Sequence, residues 1–507
     1  MGERVAEVER KYEGGAPEVG VEGVAGVAEV RRVEADELDA TYYDTAGFAL
    51  ATHRVTLRRR TGGQDAGWHL KLPATRADTR TEVHAPLGRG DDTPPEELRS
   101  EVTAILRGRP LGPVVRLRTL RRRTLLLDDA GRTLAEIAHD EVRTELPEDD
   151  AAAEPTNRWT PGPSWTETEV ELGESGHPDL LDAVEERLLA AGMHRAASPS
   201  KLAHALGDRL TPPPRPPAEP ATTGLTAVAY LHQQVTALLA LDPAVRRAEE
   251  DAVHQMRVAT RRARSALKSF GRALDREATD PIGQELKWLA AVLGLERDRE
   301  VLAERLARRL AELDPELVGK PLRRRLRAPD TTGPSPHTAL LHELDGARYF
   351  ALLDALEALV AAPPYLRPAA DAPAEDGAAA AVRRDHARLR AAVENALSLP
   401  PGEERDIALH DARKDAKRVR YSSEAATPVL GDRATAHTTR MKRVQQLLGE
   451  HQDSCIARDA LIALRAAALA AGEDPAPYDA MVRRERDLAA TVESDLPAAW
   501  ESADQPL

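Results

Sequence analysis

The chain has 507 residues, 42% hydrophobic and 30% charged, with a formal net charge of -14 at pH 7. That length exceeds one ordinary core and sets an expectation of at least two domains, while the acidic balance excludes a protein that holds nucleic acid through a global basic surface, so no specific nucleic acid is expected as a partner. A single cysteine, Cys455, excludes an internal disulfide framework, no apolar run reaches membrane-spanning length, and the acidic start lacks the basic and apolar segments of a signal peptide, so the chain reads as cytoplasmic with no membrane partner.

The first strand-like stretch, Glu7 to Glu13, reads EVERKYE. In an extended strand alternate side chains share a face, so Glu7, Glu9 and Lys11 converge on one surface. On an open sheet such a face is solvated; inside a closed barrel it becomes a charged lumen able to hold a hard cation and a polyanion. Short alternating runs broken by Gly, Pro and Asp continue to about residue 207 and predict strands at Arg4–Tyr12, Glu37–Asp44, Leu50–Arg60, Gly67–Leu72, Thr79–Ala85, Val115–Asp128, Thr133–Arg143 and Ser164–Leu172, enough to close a barrel. Helical interruptions are predicted at Ala16–Val33, Pro94–Leu106 and Pro178–Ala191, and a mobile insertion over 146–163. The proline-rich run 211–223 is a semi-rigid spacer separating a domain at 1–210 from one at 224–507.

Past Gly224 the text turns to Ala, Leu and Arg with helical periodicity and almost no strand signal, which reads as all-helical, interrupted at 329–336 and 363–377. Two helical groups, about 224–330 and 376–500, form a long internal repeat. HQMRVATRRARSALKSF from His254 aligns with HDARKDAKRVRYSSEAA from His410, and LGLERDREVL from Leu293 with LGEHQDSCIA from Leu448. On the first of these helices His254, Arg257, Arg261, Arg264 and Lys268 fall on one stripe; His410, Arg413, Lys417 and Arg420 form its counterpart, with Arg262 and Arg418 to the side. Like charges stacked at helical spacing repel, so an anionic partner or facing acidic groups must compensate. His451 with nearby Asp453 finds no third ligand at helical spacing and is not read as a metal site.

Other segments of the first domain repeat the opening pattern. Arg58 and Arg60 share a strand face, Lys71 follows on the next strand, Arg80 and Glu82 on another, and Glu167, Glu169 and Glu171 line one face of the last. Arg121, Arg122 and Arg123 run together, which leaves open which of them faces a lumen. The pieces, in order, are ExExK at Glu7, Glu9 and Lys11, YYDT at Tyr42–Thr45, LRRR at Leu57–Arg60, WxLK at Trp68–Lys71, EIxxD at Glu136–Asp140, ExE at Glu169 and Glu171, and SKL at Ser200–Leu202. Together they resemble the CYTH family, the triphosphate tunnel metalloenzymes.

That resemblance implies a multidomain α+β protein whose N-terminal half is an eight-stranded antiparallel β-barrel, a tunnel with flanking helices, hydrolysing a linear triphosphate with Mg²⁺ or Mn²⁺. Glu7, Glu9, Glu169 and Glu171 would then be metal ligands, with Glu136 or Asp140 assisting. Lys11, Arg58, Arg60, Lys71, Arg123 and Lys201 would grip the phosphates, and Lys11, Glu169 and Glu171 would be the catalytic residues. Inorganic triphosphate is the substrate expected first, since no base-recognition motif is present. The same family admits thiamine triphosphate, nucleoside triphosphates and adenylate cyclisation, and a non-catalytic polyphosphate-binding scaffold is the alternative of another class. The helical half resembles the CHAD domain, carried by VHQMRVATRRARSAL, LGLERD, LHDARKDAKRVRY and LGEHQD. It implies a basic groove between two repeated helical bundles that binds inorganic polyphosphate, with association with polyphosphate granules as the matching expectation. His254 and His410 either donate hydrogen bonds to phosphate or pack between helices.

Overall fold

Strands form in the first half because Val, Leu, Tyr and Thr alternate with charged residues, and their apolar faces must be covered. In the computed structural model of the chain, which describes residues 3–14, 20–74, 78–88, 93–148, 159–212, 214–327, 335–505 and 507, two units separate at Met1–Pro213 and Pro214–Leu507. The first contains β1 (Glu3–Glu13), β2 (Glu29–Arg32), β3 (Asp36–Asp44), α1 (Ala49–Thr52), β4 (Thr56–Thr61), β5 (Gly67–Pro73) and β6 (Thr79–Ala85). It continues with α2 (Glu96–Ser100), α3 (Thr103–Leu106), β7 (Gly112–Leu127), β8 (Thr133–Pro147), β9 (Trp159–Leu172), α4 (Pro178–Ala190), β10 (His194–Arg195) and α5 (Lys201–Leu206).

Neighbouring strands run β1-β6-β5-β4-β3-β7-β8-β9, and a further β1–β9 pairing closes the antiparallel barrel at eight strands; β2 adds to β7 and β10 to β1. Apolar residues face outward from this barrel into three packed layers. Tyr43, Leu57, Trp68 and Leu70 meet the short helices α1 to α3. Val170 and Leu126 are covered by α4 through Leu181, Val184 and Leu188, and Leu117 and Val142 by Leu202 and Leu206 of α5. Helices on the outside thus leave the interior free for charged side chains.

Several local expectations give way. The stretch predicted as a helix at Ala16–Val33 ends in strand β2, and its residues 15–19 lie outside the described residues. Val21, Val24, Val27 and Val30 recur every third position as on a helix, but Gly23 and Gly26 sit at φ 78° and 85°, which breaks helical propagation. Strand Leu50–Arg60 is in fact helix α1 followed by β4. Pro94–Leu106 forms two short helices rather than one. Of the insertion at 146–163, residues 149–158 lie outside the described residues and 159–163 belong to β9.

The YYDT piece has a structural explanation in Asp44. Fully buried at the end of β3, its carboxylate accepts the backbone N–H groups of Thr45 (2.7 Å), Leu50 (2.8 Å) and Ala51 (2.9 Å), while Thr45 Oγ1 accepts that of Ala49 at 3.0 Å. These bonds satisfy the orphan donors at the start of α1 and turn the chain back into β4.

The second unit is helical throughout: α6 (Thr223–Arg246), α7 (Ala252–Ser269), α8 (Arg276–Glu312), α9 (Lys320–Arg327), α10 (Pro336–Leu344), α11 (Ala347–Ala361), α12 (Ala374–Ser398), α13 (Glu403–Leu430), α14 (Asp432–Ala470) and α15 (Ala476–Ala503). Small residues let these helices approach closely. Ala378 and Val382 of α12 pack on Ala426 and Ala434, and a larger core joins Leu389 and Val393 to Leu409, Val419, Met441, Val444 and Trp500.

Asp44→Ala strands three backbone donors and is expected to lower the unfolding free energy by about 2–3 kcal/mol in chemical denaturation, with Asp44→Asn losing less. Equal stability of Asp44→Ala and wild type would contradict this role.

Candidate functional site

Residues paired across neighbouring strands share a face, so register decides what the barrel encloses. Glu9 pairs with Glu171, Lys11 with Glu169 and Glu7 with Arg80. Lys71 pairs with Glu82, and Glu136 with Glu171. The result is a cavity of about 70 Å³ lined by Glu7, Glu9, Lys11, Tyr42, Arg58, Arg60, Lys71, Arg80, Glu82, Arg121, Glu169, Glu171 and Lys201. Acidic side chains come chiefly from β1 and β9, guanidinium groups from β4 and β7.

Nine of the residues expected from sequence meet there: Glu7, Glu9, Lys11, Arg58, Arg60, Lys71, Glu169, Glu171 and Lys201. Three do not line the cavity. Of the adjacent arginines it is Arg121 that lines it, whereas Arg123, two residues on along the same strand face, pairs with Asp36 at 2.9 Å and Glu136 at 3.6 Å. Asp140, expected to assist a metal, is wholly buried and taken up by Arg121, which donates to both its oxygens at 2.8 and 2.7 Å, and by Lys201 at 3.0 Å. Glu136 lies beside Glu171 in the register, outside the cavity lining. Arg121 carries no sequence mark separating it from its neighbours; only the β7–β8 register, which sets it opposite Asp140, identifies it.

Lys201 is the pivot of the acidic side, at 2.6 Å from Glu167, 2.7 Å from Glu169 and 3.0 Å from Asp140. These three carboxylates come close enough to hold a cation, and the ammonium serves that purpose. Lys11 contacts Glu169 and lies 3.4 Å from Glu9, and Lys71 reaches Glu7 at 2.5 Å. Burial pushes carboxylate pKa values up, yet Lys11 and Lys201 hold Glu169 well below its ordinary value, and Lys11 with Lys71 holds Glu9 below. Glu171 is raised by burial, and Glu7, buried and hydrogen-bonded to Glu82, is pushed up to about 8 against the pull of Lys71. On the opposite side burial lowers Arg60 to about 9, helped by the crowding of Arg58 and Arg121. A guanidinium so depressed is one that an added anion would relieve.

The donor set also fits a hard divalent cation. Glu136, Glu171 and Glu9 run side by side across β8, β9 and β1; like charges in such a row repel, and their ligand atoms are all carboxylate oxygens, the kind that Mg²⁺ and Mn²⁺ prefer.

In the second unit the two basic stripes face each other across α7 and α13. Burial lowers Lys417 to about 7, followed by the charges of Arg413, Arg261 and Arg257, so these four cations cluster. Arg257 donates to Asp298 at 2.7 Å and Arg413 approaches Asp453 at 3.8 Å, an equivalent pair in each repeat. The glycine of each LG piece makes room: a Cβ on Gly294 would stand 2.9 Å from the Arg257 guanidinium, and one on Gly449 3.5 Å from that of Arg413. Burial lowers Lys268, with Arg264 and Arg418 adding to it. Arg420 is diverted to Glu424 at 3.3 Å and stacks over Tyr421. Arg262 and Arg418 pair with Glu424 and Asp385. His254 and His410 are half-buried on the same two helices.

The chain thus joins a charged tunnel closed by eight strands to a helical unit that carries paired basic helices. The CYTH domain profile matches residues 6–206 and the CHAD domain profile residues 229–462. Protein Rv2226 of Mycobacterium tuberculosis (strain H37Rv) is 40% identical over 517 residues, covering 99% of this chain and 97% of that protein. The chain belongs to the CYTH–CHAD family. Members of the CYTH family are triphosphatases or cyclases, which supports a phosphoryl-transfer or hydrolase enzyme. Similar solved structures include PptA from Streptomyces chartreusis (24% identity, TM-score 0.44, covering 55% of this chain and all 100% of that one) and the CHAD domain from the plant Ricinus communis (22%, TM-score 0.43, covering 57% and 96%).

Among the described residues no helix is long and apolar enough to cross a membrane.

Because Glu7 binds its proton more tightly when folded, its contribution to stability is full below pH 4.5 and lost as pH rises to about 8. Metal-free protein is therefore expected to lose thermal stability across that window, and Glu7→Gln to flatten the slope. An unchanged slope in the variant would contradict the assignment.

Proposed function

We propose that the first unit hydrolyses inorganic triphosphate with Mg²⁺ or Mn²⁺ and that the second binds inorganic polyphosphate. The observation that supports this most is the facing of Glu9, Glu169 and Glu171 against Arg58, Arg60 and Arg121 within one cavity. Phosphoanhydride hydrolysis needs charge neutralisation and in-line placement of water more than a covalent nucleophile. A bound divalent cation supplies Lewis-acid polarisation of phosphoryl oxygens, and Glu9, Glu169 and Glu171, with Glu136 alongside, are the residues that would hold it.

Arg58, Arg60, Arg121 and Lys71 grip the phosphate chain, each guanidinium presenting several donors to it. Lys11 and Lys201 keep Glu169 ionised and fixed, so the carboxylate is oriented before substrate arrives. The cavity is lined mostly by charged groups, and among the described residues its lining offers no aromatic cradle for a base beyond Tyr42, whose hydroxyl accepts from Arg58 at 3.3 Å. That favours the smallest triphosphate. Capture of polyphosphate by the helical unit would localise the protein on polyphosphate granules.

Phosphate release by the full chain from triphosphate, ATP and thiamine triphosphate, each with Mg²⁺ and Mn²⁺, tests the reading. Fastest release is expected from triphosphate, with Glu171→Ala slower by at least about a hundredfold. Release from none of the three would sink the enzyme in favour of a binding protein.

A polyanion next to Lys417 favours its charged form, so polyphosphate affinity should rise as pH falls through about 7. Lys417→Arg, always charged, should remove that dependence, and Arg257→Ala with Arg413→Ala should weaken binding at least about tenfold. Titration of the full chain between weakly acidic and weakly basic buffers at fixed ionic strength reads both; a pH dependence retained in Lys417→Arg counts against the assignment.

A further inference from the structure

The helical unit holds a cluster that neither phosphate site uses. On α14, His451 and Cys455 stand one turn apart and face the same neighbours. Asp406 reaches them from α13 and Glu493 from α15. His451 is 1% exposed, and its Nε2 lies 3.4 Å from Asp406 Oδ1 and 3.5 Å from Glu493 Oε1. Yet that nitrogen has no hydrogen-bond partner. Its Nδ1 is 3.8 Å from Cys455 Sγ, and one ligand atom from each of Asp406, His451 and Cys455 falls within 4.8 Å of the others.

A buried ring nitrogen without a partner, aimed between two carboxylates, is costly unless something occupies the space between them. The spacings say what could. A tetrahedron with metal–ligand bonds of about 2.0–2.1 Å has edges of about 3.3–3.4 Å; the 3.4 Å separation to Asp406 matches such an edge, and the 3.5 Å separation to Glu493 is slightly longer. Both carboxylates are already oriented from behind: Arg458 donates to Asp406 Oδ2 at 2.8 Å, and Arg405 pairs with Glu493 at 3.1 Å. Such outer contacts fix ligands around a metal.

We propose that Asp406, His451 and Cys455, with Glu493 beside the ring nitrogen, form a site for a borderline-soft divalent ion, Zn²⁺, that ties α13 and α14 together next to α15. A mixed nitrogen, sulfur and oxygen set selects Zn²⁺ over the hard cations that suit the all-carboxylate tunnel. Coordination replaces the Cys455 thiol proton, which leaves to solvent, and uses the neutral imidazole. The third ligand that His451 lacks beside Asp453 thus comes from Cys455 one turn on and from the preceding helix. The first repeat has no equivalent, since Glu296 and Glu300 stand where the second has His451 and Cys455.

Cys455 is the chain's one cysteine, which makes the test specific to this site. Addition of Co²⁺ to the metal-free, reduced full-length protein should produce sulfur-to-cobalt charge-transfer absorption, displaced by Zn²⁺. Cys455→Ser should abolish the band and weaken the Zn²⁺-induced rise in melting temperature so that at least about tenfold more Zn²⁺ is needed. Glu171→Ala, in the other unit, should keep the band. Absence of charge transfer in wild type, or a band of full intensity in a folded His451→Ala variant, would overturn the proposal.

Discussion

Closing a sheet into a barrel fixes which side chains lose contact with water, and here the enclosed ones are charged. Each buried carboxylate or guanidinium needs a partner, because an unpaired charge in a low-dielectric interior is too costly to keep ionised. The chain meets this demand unevenly. Lys201 sits among Glu167, Glu169 and Asp140, and Arg121 clamps Asp140. What is left crowded is a row of carboxylates through Glu171 on one side and, on the other, the Arg60 guanidinium, pressed by Arg58 and by the already paired Arg121. An interior of this kind is complementary to a cation and a polyanion taken together.

The helical unit solves a related problem with different geometry. Its cations gather at the meeting of α7 and α13, where burial and mutual repulsion bring Lys417 down to about 7. Arg257 and Arg413 are each tethered by an aspartate on the helix that follows and lie over a glycine. A tether of that sort holds a guanidinium in place without neutralising its neighbours. Both units therefore keep positive charge close-packed and only partly compensated, the arrangement a phosphate chain relieves.

Much of this was legible in the sequence because period-two alternation survives wherever one face is apolar and the other charged, as in EVERKYE and TETEVEL. Carboxylates and cations two apart on a strand had to share a face once the barrel closed. The failures have local causes. Valines spaced by three between residues 21 and 30 imitate a helix, and only the positive φ of Gly23 and Gly26 reveals the turns. Helix α1 depends on Asp44, a residue outside it, accepting its backbone donors. Register was invisible too: Arg121 and Asp140 face each other only through the β7–β8 pairing, and Asp406 meets His451 across two helices 45 positions apart in the chain.

Diffraction from crystals of the full chain grown with Mn²⁺ and a non-hydrolysable triphosphate analogue addresses the central claim most directly. Anomalous density for Mn²⁺ is predicted inside the barrel against Glu9 and Glu171, with the phosphate chain running from it toward Arg58, Arg60 and Arg121. Density for metal and analogue confined to the outer surface of the barrel, with the lumen's ion pairs undisturbed, would contradict the account.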